Sequence, residues 1–424
     1  MKQILISIMC LCGWFPHALA QSFKFDFSSG SQVKDGYTKI TKECGYNDAK
    51  GFGYDIAMPW DGKSNAPFLF SVKVPDGNYR VTVTLGCANS AGSTVVRGES
   101  RRLFYEPVDT KKGELKTVRF TVNKRDAVIK GKTKVKLSDR EKGRLTWDDK
   151  LTLEFNGNAP RISAITIDKI DNVPTVFLCG NSTVVDQANE PWASWGQMMP
   201  RFLNEDIAIA NYAESGLTAK TFIGGKRLDK IMSVIKAGDY VFVEFGHNDQ
   251  KEKFAGSGAY YSFAYCLKQF IDKTRAKGAY PVLVTSTCRR RFENGKIKNT
   301  HGDYPAAIRE IASREKLPLI DLQAMTMTML NAVGEAESKA MYVHYPMGTF
   351  ECQVKELKDN THFSTFGAYE VAKCVLEGIK KAQLPIAGFI RSDYKGFNPA
   401  SPDKRNSFKW YLSPFCDVEK PAGN

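Results

Sequence analysis

Between residues 21 and about 170, apolar and polar positions alternate in short bursts: FKFDF, FLFSVKV, YRVTVTL, LKTVRFTV, KVKL, LTLEF and ISAITI. Turn chemistry separates them, as in PDGN at 75–78 and NGNAP at 156–160. A period of two sends successive side chains to opposite faces, so each burst predicts a strand with one buried face. Many such strands with frequent turns predict an all-β sandwich. From about Val173 the pattern changes. VFLC, IAIAN, YVFVEF, PVLVTS and LPLI are nearly unbroken apolar runs, as expected of strands buried on both faces. Helical patterns at about 193–204, 218–236, 261–278, 303–316 and 364–382 alternate with them.

Strands alternating with helices predict a parallel sheet covered on both sides, a flavodoxin-like three-layer α/β/α domain. The predicted division is a sandwich over 21–171, the α/β domain over 172–383 and a tail over 384–424. That tail, with KWYLSPFCDVEKPAGN, is too aromatic for a disordered segment and is expected to pack back on the domains.

The first twenty residues predict an address. Lys2 gives a basic start, ILISIMCLCGWF an apolar core, and Ala18-Leu19-Ala20 a small-residue cleavage site before Gln21. Export follows, to the periplasm or outside the cell. Beyond that leader no run is long and apolar enough to span a membrane, so no stable insertion is expected. The formal charge of +14 favours acidic partners. It is spread along the chain, without a Lys/Arg block or a nucleic-acid-binding spacing, which argues against nucleic acid. Of the ten cysteines none is spaced as CxxC, so no thiolate metal site is expected. Those outside the leader are disulfide candidates or small core residues, with no pairing legible.

In doubly wound sheets, sites form beyond the carboxyl ends of the strands. There the first strand runs into Gly180-Asn181-Ser182, the second into Asn211-Tyr212-Ala213-Glu214-Ser215-Gly216, and the third into Gly246-His247-Asn248-Asp249. Far downstream, LKDNTHFSTFGAYEVAK puts Asp359 and His362 just before a helix. Alone, Ser182 is a turn serine and Asp359 a helix cap. Together they make a reaction centre. A serine hydroxyl needs a base, which His362 supplies, and Asp359 from the same loop would orient that imidazole. The N–H groups of Ser182 and Gly216 and the Asn248 amide would receive the oxyanion. The G-x-S-x-G elbow of α/β-hydrolases is absent, because Val184 follows Thr183 where a second Gly belongs.

GNST, Gly216, GHND and DNTH resemble the four blocks of the SGNH (GDSL-type) hydrolases. More narrowly, NYAESG, EFGHNDQ and DNTHFSTFGA resemble the rhamnogalacturonan acetylesterase group, carbohydrate esterase family 12. The resemblance covers about 173–382. It implies an SGNH hydrolase domain with Ser182 as nucleophile, His362 as base and Asp359 as its support. It also implies an oxyanion hole of Ser182, Gly216 and Asn248, and neither metal nor organic cofactor. The implied substrate is an acetylated pectic polysaccharide or oligosaccharide. Asn181 departs from the family's usual Asp, so any bonding there must use an amide. FKFDFSSG, KGFGYDI and GNYRVTVTLG resemble the galactose-binding-like sandwich that precedes some of these esterases.

Other residues carry two readings. His247 faces either structure or substrate, and Asp249 shapes its loop. Trp192 and Trp195 in EPWASWGQ are helix-start packing or sugar platforms, and Trp60 is core or a sugar platform. Arg289 and Arg291, in the run TSTCRRRF after the fourth strand, are a solvated face or uronate contacts. The same residues are compatible with three rival functions. They are an esterase for other acetylated glycans such as xylan, or for lipids or thioesters; a metal-dependent phosphoesterase using Asp249, His247, Asp359 and His362; and a glycan-binding protein with an inactive centre.

Overall fold

Period-two alternation builds the amino-terminal half. In strand Gly77–Leu85 the side chains of Tyr79, Val81, Val83 and Leu85 are all fully buried, with polar residues between them. The computed structural model describes residues 22–30, 32–56, 59–131, 133–351, 353–415 and 417–423. The leader at 1–20 therefore lies outside the described residues, as do Cys352 and Cys416. One five-stranded sheet has the spatial order Thr38–Lys39, Ser22–Asp26, Ile162–Ile170, Gly77–Leu85, Lys116–Lys124. The other runs Phe52–Tyr54, Phe68–Lys73, Lys150–Ala159, Gly92–Gly98, Arg102–Thr110. Between them lies a core that includes Phe25, Phe70, Val83, Leu153 and Phe155.

Trp60 belongs to that core, stacked on Phe68 with ring centroids 5.1 Å apart, so it offers no face to a sugar. KVKL forms no strand; Lys134 makes only an isolated bridge to Val128. Gly92–Gly98 and Arg102–Thr110 are strands that alternation did not announce. Their pairing is broken by irregularities on both sides of Val96, and buried Arg97 and Arg102 stand where apolar residues would mark the period.

In the second half, strands Thr175–Cys179, Ala208–Asn211, Tyr240–Glu244, Tyr280–Val284 and Leu319–Ile320 form one parallel sheet. Its spatial order is second, first, third, fourth, fifth, the flavodoxin-like winding. Val176, Leu178, Ile209, Phe242 and Val284 face one core with Val371, Val375 and Ile379 of helix Thr365–Lys381. Phe177, Ala210, Val241, Val243 and Leu283 face the other, against helices Ala264–Arg275 and Tyr304–Arg314. The predicted helix at 218–236 is split into Ala219–Gly224 and Arg227–Val234, with Lys226 left-handed at φ 63° between them. That at 193–204 shortens to Trp195–Met198 and a 3-10 turn, Met199–Phe202, containing Pro200. Helix Leu322–Val333 was not anticipated. Among the described residues no helix is long and apolar enough to cross a membrane. Cys44, Cys87, Cys179, Cys266, Cys288 and Cys374 are free thiols.

The two halves meet through buried arginines. The turn at Glu99–Arg101, with both residues at positive φ, inserts into the α/β domain. Arg101 pairs with Glu190 at 2.5 Å and donates to the Trp192 carbonyl at 2.9 Å. Arg102 pairs with Asp186 at 2.6 Å, and Asp186 also accepts from Asn211 at 2.9 Å. The tail lies along this seam: Trp410 stacks on Arg97 at 3.8 Å and donates to Glu190 at 2.8 Å. Removing one member of such a pair strands a buried charge, at a cost of about 3–5 kcal/mol. Arg102→Ala is therefore expected to lose about that much in denaturant unfolding. A loss below about 1 kcal/mol, the range of exposed pairs, would contradict the role assigned to Arg102.

Candidate active site

The sheet reverses its order beside the first strand, so the ends of the first, second and third strands open onto one crevice. The first strand stops at Gly180, where a β-carbon would meet Val184 Cγ2 at 2.5 Å; only glycine lets the chain turn so tightly. Asn181 Oδ1 then accepts from the Thr183 N–H at 3.2 Å and from the Thr183 hydroxyl at 3.0 Å. The bonding thus uses the amide oxygen, which an aspartate would also provide, while Asn181 Nδ2 is buried without a partner among the described residues. The Ser182 carbonyl is fixed by Ser194 Oγ at 2.6 Å and Gln187 Nε2 at 3.0 Å.

Asp359 and His362 arrive from a strand rather than from the expected loop. Strand Leu357–Phe363 pairs antiparallel with Tyr342–Tyr345, and the helix Thr365–Lys381 follows, capped by Ser364. Between the pairs Tyr342–Phe363 and His344–Lys358 the register shifts, so Asp359–His362 bulges out of the ladder. Asp359 Oδ1 closes the bulge by accepting from the N–H groups of Thr361 at 2.7 Å and His362 at 3.0 Å. Its Oδ2 lies 2.8 Å from His362 Nδ1, and His362 Nε2 lies 3.0 Å from Ser182 Oγ. Burial alone would raise the Asp359 carboxyl. The His362 contact and the two backbone donors outweigh it and bring the group to about 2. Asp359 is thus ionised at any ordinary working pH.

Gly216, left-handed at φ 83°, and Asn248 complete the crevice wall. A single point next to them, the β-carbon position of Gly423, lies 2.9 Å from Gly216 Cα and 3.0 Å from Asn248 Nδ2. The Asn248 amide donates to the Leu217 carbonyl at 3.1 Å, and its Oδ1 accepts from Lys251 Nζ at 3.3 Å. A carboxylate–imidazole–hydroxyl chain beside such donors can deprotonate a hydroxyl and hold the charge that appears when it attacks a carbonyl.

The remaining sequence candidates separate. Trp192 is 3% exposed, its ring edge-on to His362 at 5.7 Å and its N–H on the Asp417 carbonyl; it braces the imidazole and presents no sugar platform. Trp195 is buried and donates to Glu244 at 2.5 Å. His247 faces structure: its ring stacks on His301, with Nδ1 and Nε2 of the pair 2.9 Å apart. Arg289 is half-buried behind it, bonded to the His247 carbonyl at 3.0 Å and Thr300 Oγ1 at 3.2 Å. Arg291 is exposed at the start of the hairpin Phe292–Glu293 with Lys296–Ile297, its N–H donating to the Arg289 carbonyl at 2.8 Å. Between them, Arg290 is buried and bonds Asn360 Oδ1 at 3.1 Å, tying the Asp359 strand down.

Asp249 accepts from the N–H groups of Ala219 and Gly246, each at 2.8 Å, and burial pushes it up to about 7. The phosphoesterase reading needed His247, Asp249, Asp359 and His362 to converge. Among the described residues no cluster of His, Cys, Asp or Glu is arranged to hold a metal, and His247 and Asp249 are committed to their own loop. The supports that sequence reasoning missed are Arg101 and Arg102. The signal was RGESRR at 97–102, charge placed inside an apolar sandwich pattern.

Burial holds His247 far below the ordinary imidazole value, with His301 and Arg289 adding to it, and brings His301 to about 3. Both rings should therefore stay neutral from pH 5 to 8. Imidazole proton or nitrogen shifts followed by NMR are expected to be flat over that range. A midpoint inside it for either ring would contradict the buried pair.

The GDSL-like Lipase/Acylhydrolase family model matches residues 178–345. Rhamnogalacturonan acetylesterase RhgT of Bacillus subtilis (strain 168) is 42% identical over 220 residues, covering 51% of this chain and 94% of that protein. Uncharacterized esterase YxiM of the same organism is 26% identical over 423 residues, covering 92% and 99%. The crystal structure of YxiM covers 86% of this chain and 99% of its own, at 24% identity and a TM-score of 0.46. With the three strand-end blocks and the Asp359–His362 bulge in place, the chain belongs to the GDSL-like lipase/acylhydrolase family and is an ester hydrolase.

Proposed function

We propose that the protein is an exported carbohydrate esterase that removes acetyl groups from pectic rhamnogalacturonan. The observation that carries the chemistry is the unbroken chain Asp359 Oδ2–His362 Nδ1 at 2.8 Å and His362 Nε2–Ser182 Oγ at 3.0 Å. Ser182 Oγ attacks the acetyl carbonyl as its proton passes to His362 Nε2, and the ionised Asp359 stabilises the imidazolium. The oxyanion is held by the N–H groups of Ser182 and Gly216 and by the Asn248 amide. His362 returns the proton to the departing sugar oxygen, leaving acetyl-Ser182. Water, activated by the same imidazole, then frees acetate.

The sugar assignment is supported by the 42% identity to a protein named rhamnogalacturonan acetylesterase across nearly its whole length. It is supported also by the arginines beside the crevice. A cleft of about 310 Å³ is lined by Arg140, Arg144, Gln187, Asn189 and Ser215 together with Asp417 and Glu419 of the tail, and Glu419 pairs with Arg140. Arg289 and Lys251 lie near enough to influence each other. Arg140 and Arg144 belong to the amino-terminal region, which gives that region a direct part in holding an acidic chain. Export is supported by the leader pattern of residues 1–20.

Ser182→Ala is expected to cut acetate release by at least about 10⁴-fold with folding unchanged, and Asn248→Ala by about 10²–10³-fold. EDTA should leave the rate as it was. Substantial turnover by folded Ser182→Ala, or loss of activity in EDTA, would sink the mechanism. The substrate assignment has its own test. Arg144→Ala with Arg289→Ala should raise KM for acetylated galacturonate-containing oligosaccharides well above any effect on neutral acetylated ones. Equal effects on both would remove the uronate contact.

A further inference from the structure

From Asp417 to Gly423 the chain lies along the Ser182 crevice. The Asp417 N–H donates to the Glu190 carbonyl at 3.1 Å, while the Asp417 carbonyl accepts the Trp192 indole N–H at 3.1 Å. Glu419 pairs with Arg140, which also donates to the Lys420 carbonyl at 3.2 Å. Lys420 Nζ stands 3.6 Å from Asp359 Oδ2. Pro421 is buried, and the Gly423 carbonyl accepts from Lys251 Nζ. A β-carbon on Gly423 would stand 2.7 Å from Asn248 Oδ1 and 2.9 Å from Gly216 Cα, and one on Gly216 would stand 3.1 Å from Ala422 Cβ. These residues thus fill the space next to both side-wall donors. With the segment in place Ser182 is only 4% exposed and His362 1%.

We propose that residues 417–423 form an autoinhibitory strap that occupies the acyl subsite and swings out when an acidic glycan binds. This rests on reading Ser182, Gly216 and Asn248 as the acyl site. The Arg140–Glu419 pair that ties the strap down is part-exposed, with side chains 33% and 66% accessible. Such pairs contribute only about 0–1 kcal/mol and weaken with salt. Tethering compensates, because a short linker keeps the strap at an effective concentration in the millimolar range. A substrate carboxylate can take the place of Glu419 on Arg140, which couples release to the acidic polymer. A neutral ester offers no such exchange and must wait for spontaneous opening. Observed reactivity toward small esters then scales with the open fraction, so a strap closed nine-tenths of the time slows them about tenfold.

The test compares the full chain with a variant lacking 420–424, which keeps Asp417 and its bond to Trp192, and with Glu419→Arg. Two rates are read: hydrolysis of 4-nitrophenyl acetate, and covalent labelling of Ser182 by a fluorophosphonate, with circular dichroism to confirm folding. Both rates should rise about tenfold in the shortened chain. They should rise to a lesser degree in Glu419→Arg and fall back in Glu419→Arg with Arg140→Glu. Equal or slower labelling in a folded shortened chain overturns the strap, whatever the hydrolysis rate. Faster labelling without acetate release from either form keeps the strap and overturns the esterase reading instead.

Discussion

The hydrogen bond between Asp359 and His362 is the interaction on which the site depends. A buried carboxylate is costly unless donors satisfy it, and here three do: the imidazole Nδ1–H and the backbone N–H groups of Thr361 and His362. Those bonds keep the carboxylate ionised and the bulge closed. They also fix the tautomer, with the proton on Nδ1 and the lone pair of Nε2 turned to Ser182 Oγ. Without the register shift against Tyr342–Tyr345, a regular strand would send residues 359 and 362 to opposite faces. The irregularity of the strand is therefore what lets one short segment carry both groups.

The opposite wall is held from the other half of the molecule. Arg101 and Arg102 reach from a sandwich hairpin to Glu190 and Asp186, which bracket the loop after Ser182. Glu190 is in turn shared with Trp410 and Ser413 of the tail. Loop, hairpin and tail form one buried polar network. Its ion pairs and hydrogen bonds join segments that lie far apart in the sequence. The amino-terminal region is thus a structural part of the site, whatever it contributes to glycan binding.

Much of this was legible in the sequence, for identifiable reasons. Apolar runs announced the five parallel strands because both faces of that sheet are covered, and strand-end clusters marked the crevice. What escaped was written in long-range contacts. Arg97, Arg101 and Arg102 are buried against Glu154, Glu190 and Asp186, partners that lie far along the chain and that no local pattern joins to them. His247 looked available beside Asn248, yet its partner is His301. Trp192 carried both a packing and a platform reading, and its N–H finds a carbonyl in the tail. Local pattern specifies elements; which buried polar groups pair is settled only when distant segments meet.

The mechanism requires a covalent acetyl intermediate on Ser182, which rapid quenching can trap. Enzyme mixed with excess 4-nitrophenyl acetate, stopped in acid within the first turnovers and digested, should yield the peptide containing Ser182 heavier by one acetyl group. The adduct should disappear on dilution as acetate is released, and should be absent in His362→Ala. Acetate release with no acylated Ser182 at any quench time, or an acetyl group on a different residue that turns over at the catalytic rate, would contradict the account.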